Sequence, residues 1–184
     1  MELQGERLIP ATVEKTWAAL NDPDTLKACI AGCESLERSG DDGFIALVAV
    51  KVGPVSARFK GNLKLTNVMA PNSYTINFDG QGGVAGFGKG SADVALTPEG
   101  TQTRLKYSAR AQVGGKLAQV GSRLIDAAAA KISEDFFKAF EGHLQAQTVG
   151  APVPEPVPAA GGGKTMWWVV GAVVVLALVY FLSR

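Results

Sequence analysis

The chain is poor in the groups on which most metal and nucleophile chemistry relies: it has two cysteines and one histidine in 184 residues. A structural zinc takes four ligands and a catalytic zinc three, so Cys29, Cys33 and His143 alone fall short of an ordinary site. Two cysteines also exclude a dense disulfide framework. A dominant charge is missing as well. Eighteen Lys and Arg stand against seventeen Asp and Glu, a formal net charge of +1. That leaves no basic field for nucleic acid and no acidic block for cations. The opening stretch, MELQGERLIPATVEKTW, is charged from its second residue. It lacks the apolar core of about 7–15 residues that a secretory signal carries. A domain that stays in the cytoplasm is the expectation.

What the sequence does have is one long uncharged run near its end. Met166 to Leu182 reads MWWVVGAVVVLALVYFL. At about 1.5 Å per helical residue this spans roughly 25 Å, close to the ~30 Å hydrocarbon layer of a bilayer. Lys164 precedes it and Arg184 follows it, while Trp167, Trp168 and Tyr180 stand near its ends, where amphipathic rings favour the headgroup level. The run 166–182 is read as a transmembrane helix, with a buried core helix as the alternative. Residues 148–165 are rich in Pro, Gly and Ala and are read as a linker, stiff in its proline half and pliable in its glycine half. Fully extended, it would lift a domain roughly 50 Å from the bilayer at ~3.1 Å per residue.

Residues 1–147 then form the folded domain. Gln4–Ile9 reads as a strand. Thr12 is placed to cap a helix over Val13–Leu20, and Asp22-Pro23 to start a second short helix. A strand at Glu34–Arg38 and a strand at Phe44–Lys51 follow. Val55–Asn67 alternates strictly: Val55, Ala57, Phe59, Gly61, Leu63 and Leu65 on one face, polar residues on the other. Ser73–Asp79, a glycine-rich Ala85–Thr97 and Thr101–Val113 complete the strand series, with Pro71-Asn72 and Pro98-Glu99-Gly100 as turns. From Lys116 to about Gln147 the period changes to 3.6, predicting one long helix whose apolar stripe includes Leu117, Leu124, Ala128, Ile132, Phe136 and Phe140. The order is that of an α+β helix-grip fold: a curved antiparallel sheet of about seven strands wrapped around a long C-terminal helix.

Three stretches carry a family resemblance: Asn21–Glu37 (NDPDTLKACIAGCESLE), Val84–Ala95 (VAGFGKGSADVA) and Val113–Phe137 (VGGKLAQVGSRLIDAAAAKISEDFF). Together they resemble the carbon monoxide dehydrogenase G-subunit family of the START-like helix-grip superfamily. Ala31 departs from the pattern, since the family often has proline between the two cysteines. The resemblance implies an accessory protein that docks a cytoplasmic molybdenum-containing carbon monoxide dehydrogenase, or a related hydroxylase, at the bacterial inner membrane. It also implies a cavity for apolar ligands.

Each chemistry-bearing residue has a plainer reading beside its functional one. Cys29 and Cys33 form a C-x3-C pair, a redox switch or half a metal site, but also two small hydrophobes at a helix end. The glycines from Gly80 to Gly90 are not followed by the helix that a dinucleotide loop requires. They read as sheet curvature, a pliable cavity entrance, or both. His143 lacks an identifiable nucleophile and orienting acid, and Lys131 and Asp135 read as a solvated i,i+4 pair.

The inward set Phe59, Leu63, Phe78, Phe87, Leu105, Tyr107, Leu124, Ala128 and Ile132 is the candidate ligand-binding cavity. The plain reading of that set is an ordinary core. Many small residues on the facing walls leave room for a guest, with Tyr107 as a polar handle. No catalytic residue, metal or covalent cofactor is assigned. The expected ligand is a membrane quinone, menaquinone or ubiquinone. The alternatives are an anchoring and docking module without ligand, a generic lipid-binding or transfer protein, and a cyclase-like enzyme.

Overall fold

The computed structural model describes residues 1–149. The linker from residue 150 on and the apolar run 166–182, with Lys164, Trp167, Trp168, Tyr180 and Arg184, lie outside the described residues. Among the described residues no helix is long and apolar enough to cross a membrane.

The chain begins with β1 (Glu2–Ile9), α1 (Val13–Leu20) and α2 (Pro23–Cys29). It then runs through β2 (Cys33–Arg38), β3 (Gly43–Val52), β4 (Val55–Met69), β5 (Ser73–Gln81), β6 (Phe87–Glu99) and β7 (Gln102–Gly114). It closes with α3 (Lys116–Gln119) and α4 (Ser122–Val149). Thr12 caps α1 through the Lys15 amide. Asp22 caps α2, its carboxylate accepting from the Thr25 amide at 2.9 Å and the Thr25 hydroxyl at 2.6 Å. Pro23 stands in the first turn of α2, where its missing N–H has no helical partner to lose.

All seven strands join one antiparallel sheet in the order β1-β7-β6-β5-β4-β3-β2. Helix α4 touches both β1, at one edge, and β3, five places away. Strands lie about 4.8 Å apart, so a flat sheet would hold these two roughly 24 Å apart, far more than the ~10 Å width of a helix. Helix α4, 28 residues and about 42 Å long, therefore runs across the sheet rather than along one strand pair. A cross-strand row of glycines, Gly61, Gly80 and Gly88, lies on one face of β4, β5 and β6 and leaves that strip without side chains.

The long C-terminal helix is not continuous as the periodicity predicts. Gly121, at φ +93°, ends α3 and restarts the chain as α4. Apolar spacing carries on across the break, so the period alone does not reveal it. The burial of α4 is lopsided. Phe137, Phe140 and Leu144 are buried, and Phe140 is fully enclosed with Ile9, Leu96 and Leu105. Leu124 and Ile132, toward the other end, are 48% and 45% exposed. The helix is thus seated on the core by its C-terminal half, while its N-terminal half is more exposed.

Candidate functional site

Between the sheet and α4 lies a cavity of about 440 Å³ with almost wholly apolar walls. Sheet residues Leu63, Leu65, Tyr74, Ile76, Val94 and Leu105 form its floor. Helix α2 adds Leu26, Ile30 follows at its C-terminal end, and α4 closes the space with Ala129, Ile132, Ser133, Phe136 and Phe137. Ala129 is a small residue facing the floor, and it is one reason the space stays open.

The polar side chains of the wall are Tyr74, Tyr107 and Ser133. Tyr107 is oriented by its surroundings. Its ring stacks on Phe137 at 5.2 Å, and its phenol oxygen accepts from Ser133 Oγ at 3.1 Å. The phenol O–H is then left to donate. The Arg7 guanidinium sits 5.7 Å from the Phe137 ring centre. Tyr74 is 4% exposed and stands edge-on to Trp17 at 5.2 Å. Among the described residues its phenol makes no hydrogen bond. Burial pushes its pKa far above the ordinary phenol value, so at neutral pH it remains an O–H donor. Tyr74 and Tyr107 flank Val94 in one cross-strand row, two strands apart on the same face.

Of the residues predicted for the cavity, Leu63, Leu105, Tyr107 and Ile132 line it, and Phe59, Phe78, Phe87, Leu124 and Ala128 do not. The aromatic rings are displaced for a common reason: each lies down over a glycine. A methyl on Gly90 would sit 2.9 Å from the Phe78 ring, and the Phe59 ring covers Gly82 in the same way. Phe87 covers Gly114, its cross-strand partner, on the opposite face of the sheet. The alternation fixed by Leu96 and Val94 places Gly88 inward and Phe87 outward. A 3-10 turn at Gly83–Ala85, followed by Gly86 at φ +113°, sets that register. Leu124 instead approaches the β3–β4 turn at Gly53, and Ala129 takes the inward position expected of Ala128. The predicted set omits Tyr74, Ile76, Leu26 and Ile30. The first two share the alternation that marks Phe78, which is the signal that identifies them.

The other chemistry-bearing residues lie away from the cavity. His143 Nε2 is 3.3 Å from Thr25 Oγ1 and 2.8 Å from Gln147 Nε2, where α4 meets α2. Cys29 belongs to the main core and Cys33 packs beside a second small core. Burial raises the pKa of both thiols, which keeps them protonated rather than nucleophilic. Lys131 and Asp135 pair at 2.7 Å on the surface.

An antiparallel sheet gripping a long helix over an apolar hollow defines the helix-grip class of fold. A crystal structure of a conserved protein from Geobacillus kaustophilus is similar, with TM-score 0.75 and 32% identity over 80% of this chain and 97% of that one. The Zhui aromatase/cyclase from Streptomyces sp. R1128 shares the fold at TM-score 0.60 and 13% identity, covering 83% of this chain and 98% of that one. A START superfamily protein from Mycobacterium smegmatis does so at TM-score 0.60 and 16% identity, covering 79% and 98%. No curated protein matches the sequence. Residues 5–145 match the family model for the G subunit of carbon monoxide dehydrogenase (CoxG). The chain belongs to that family.

Proposed function

We propose that this protein is a membrane-tethered accessory factor that holds a prenylated quinone, menaquinone or ubiquinone, in its cavity. In this reading it recruits a molybdenum-containing carbon monoxide dehydrogenase, or a related hydroxylase, to the bacterial inner membrane. The observation that carries the ligand assignment is a hollow of about 440 Å³, apolar except for two phenols with an O–H to spare and one serine. Small-molecule pockets run from ~300 to 1,000 Å³ with few polar groups that fix orientation. A flat ring with carbonyl acceptors and a hydrocarbon tail matches both features. The lining has no carboxylate, imidazole or cationic side chain to pair with the phenols and the serine, which suits binding better than acid–base chemistry.

Tethering rests on the uncharged run 166–182 in the sequence, and the partner rests on the family name. An electron-producing enzyme in water and an acceptor dissolved in lipid are brought together by a leashed carrier, which raises their local concentration. Native mass spectrometry of the full chain, extracted from its own membranes, tests the ligand. One retained prenylated quinone per chain is expected. Retained phospholipid or fatty acid would identify a lipid-transfer protein instead. An empty chain whose mass does not shift on adding quinone would overturn ligand binding.

A further inference from the structure

The glycine-rich end of the domain takes no part in the cavity or the main core. Five pieces come together there. The 3-10 turn Gly83–Ala85 packs against α3 and β4, and Leu124 of α4 comes within 3.6 Å of where a side chain on Gly53 of the β3–β4 turn would begin. The turn holds Val84 out into solvent at 86% exposure, more than any other large hydrophobic residue described. Leu124, against the β3–β4 turn at the same end of the sheet, is half exposed.

The charges around these two residues are mostly of one sign. Lys51, Lys60, Lys89, Lys116 and Arg123 are all exposed and belong to the segments that converge here. None of the five joins an ion pair among the described residues. Two acids lie beside these cations, Asp79 as the cross-strand partner of Lys89 and Asp126 on the first turns of α4, while Asp93, Glu99, Glu134, Asp135 and Glu141 fall farther along β6 and α4. A chain almost neutral overall thus concentrates unpaired cations at one end, around an aliphatic tip.

We propose that this end is a docking face for an anionic bilayer, with Val84 and Leu124 entering the interface and the cations meeting headgroups. Aliphatic residues flanked by Lys and Arg are the composition by which protein segments lie on lipid. An acidic protein surface would satisfy the cations but not the tip. Stable protein interfaces need a contiguous, closely packed patch of ~800 Å² per partner. A single valine raised on a turn offers no such patch, yet it can enter a fluid layer. The docked end includes the first turns of α4, and the helix runs on from there into the cavity wall at Ala129, Ile132 and Ser133. Docking would thus set the start of this helical wall against the phase from which an apolar ligand comes. The inference needs a bilayer within reach, which the tethering reading supplies.

The test uses the full chain bearing Cys33→Ser, with buried Cys29 left in place. A polarity-sensitive fluorophore is attached at Val84→Cys or, as a control at the opposite end, at Asp41→Cys. The chains are mixed with phosphatidylcholine vesicles with or without phosphatidylserine. The label at 84 should blue-shift and meet lipid-borne quencher in the anionic vesicles, while the label at 41 stays in water. Removing the cations by Lys116→Gln and Arg123→Gln should weaken docking about fivefold per charge, with the label returning toward water. A chain that floats with vesicles but keeps position 84 in water contradicts docking and leaves tethering intact. A chain that floats only on anionic vesicles, with position 84 buried, supports docking and contradicts the tether. A chain that does not float contradicts both. Burial of the label by an added acidic dehydrogenase, and not by lipid, would reassign the face to a protein partner.

Discussion

Gly5 lies directly across the sheet from Tyr107, and the phenol oxygen of Tyr107 fills the place a side chain at position 5 would take. A methyl there would stand 2.7 Å from that oxygen. The glycine thus sets where the phenol goes, and the phenol goes to Ser133. One residue without a side chain, on an edge strand, positions a hydrogen-bond donor in the cavity.

Gly5→Ala should therefore move the phenol and break its bond to Ser133. A hydrogen bond of ~1 kcal/mol corresponds to a loss of about fivefold in quinone affinity. The methyl would also meet the ring at Cζ, 2.8 Å away, and the ring is stacked on Phe137, so thermal stability should fall by roughly 1–3 kcal/mol. Isothermal titration with a short-chain quinone, beside a thermal melt, measures the two effects separately.

Tyr74→Phe should act in opposite directions on the empty and the loaded protein. Tyr74 is 4% exposed and its phenol makes no hydrogen bond among the described residues, so its removal costs the empty protein no bond. The empty chain should keep its stability or gain up to about 1 kcal/mol. Quinone affinity should fall about five- to tenfold, because the donor to a carbonyl is gone. A melt with and without quinone reads both signs in one experiment.

The cap of α2 gives a pH signature. Hydrogen bonds from the Thr25 hydroxyl and then the Thr25 amide hold the Asp22 carboxyl below the usual aspartate range. A depressed carboxyl stabilises the fold above its unfolded pKa of about 3.9 and loses that contribution as pH falls through its lower folded value. Asp22→Ala should cost ~1 kcal/mol at pH 7. The gap from the wild type should close as pH drops below about 4. Because α2 and the residue that ends it carry Leu26 and Ile30 into the cavity wall, ligand affinity should weaken with the cap. Denaturant melts of both proteins across acidic pH measure the gap.

Alternation and period exposed the strands, the two helix caps and the long C-terminal helix, since Val55–Met69 can bury a face in only one way. They did not expose the glycine-governed details. Gly121 interrupts the helix where the apolar spacing continues unbroken, and the turn at Gly83–Ala85 decides the face on which Phe87 falls. The sequence also does not say that a phenylalanine will lie down over a glycine on the next strand, as Phe78 does over Gly90. Inward parity therefore predicted Phe59 and Phe78 as cavity residues, whose rings cover Gly82 and Gly90 instead. Tyr74 and Tyr107 share a row only through Val94, and that pairing comes from the register of three strands.

Two neighbouring alanines test the hollow most directly. Ala129 lines the cavity and Ala128 does not. Quinone binding by the full-length chain, measured by titration calorimetry, should be lost in Ala129→Phe, whose ring fills the space, and kept within about threefold in Ala128→Phe. If both variants bind as the wild type does, or if both lose binding alike while remaining folded, the ligand does not occupy this cavity and the carrier account is wrong.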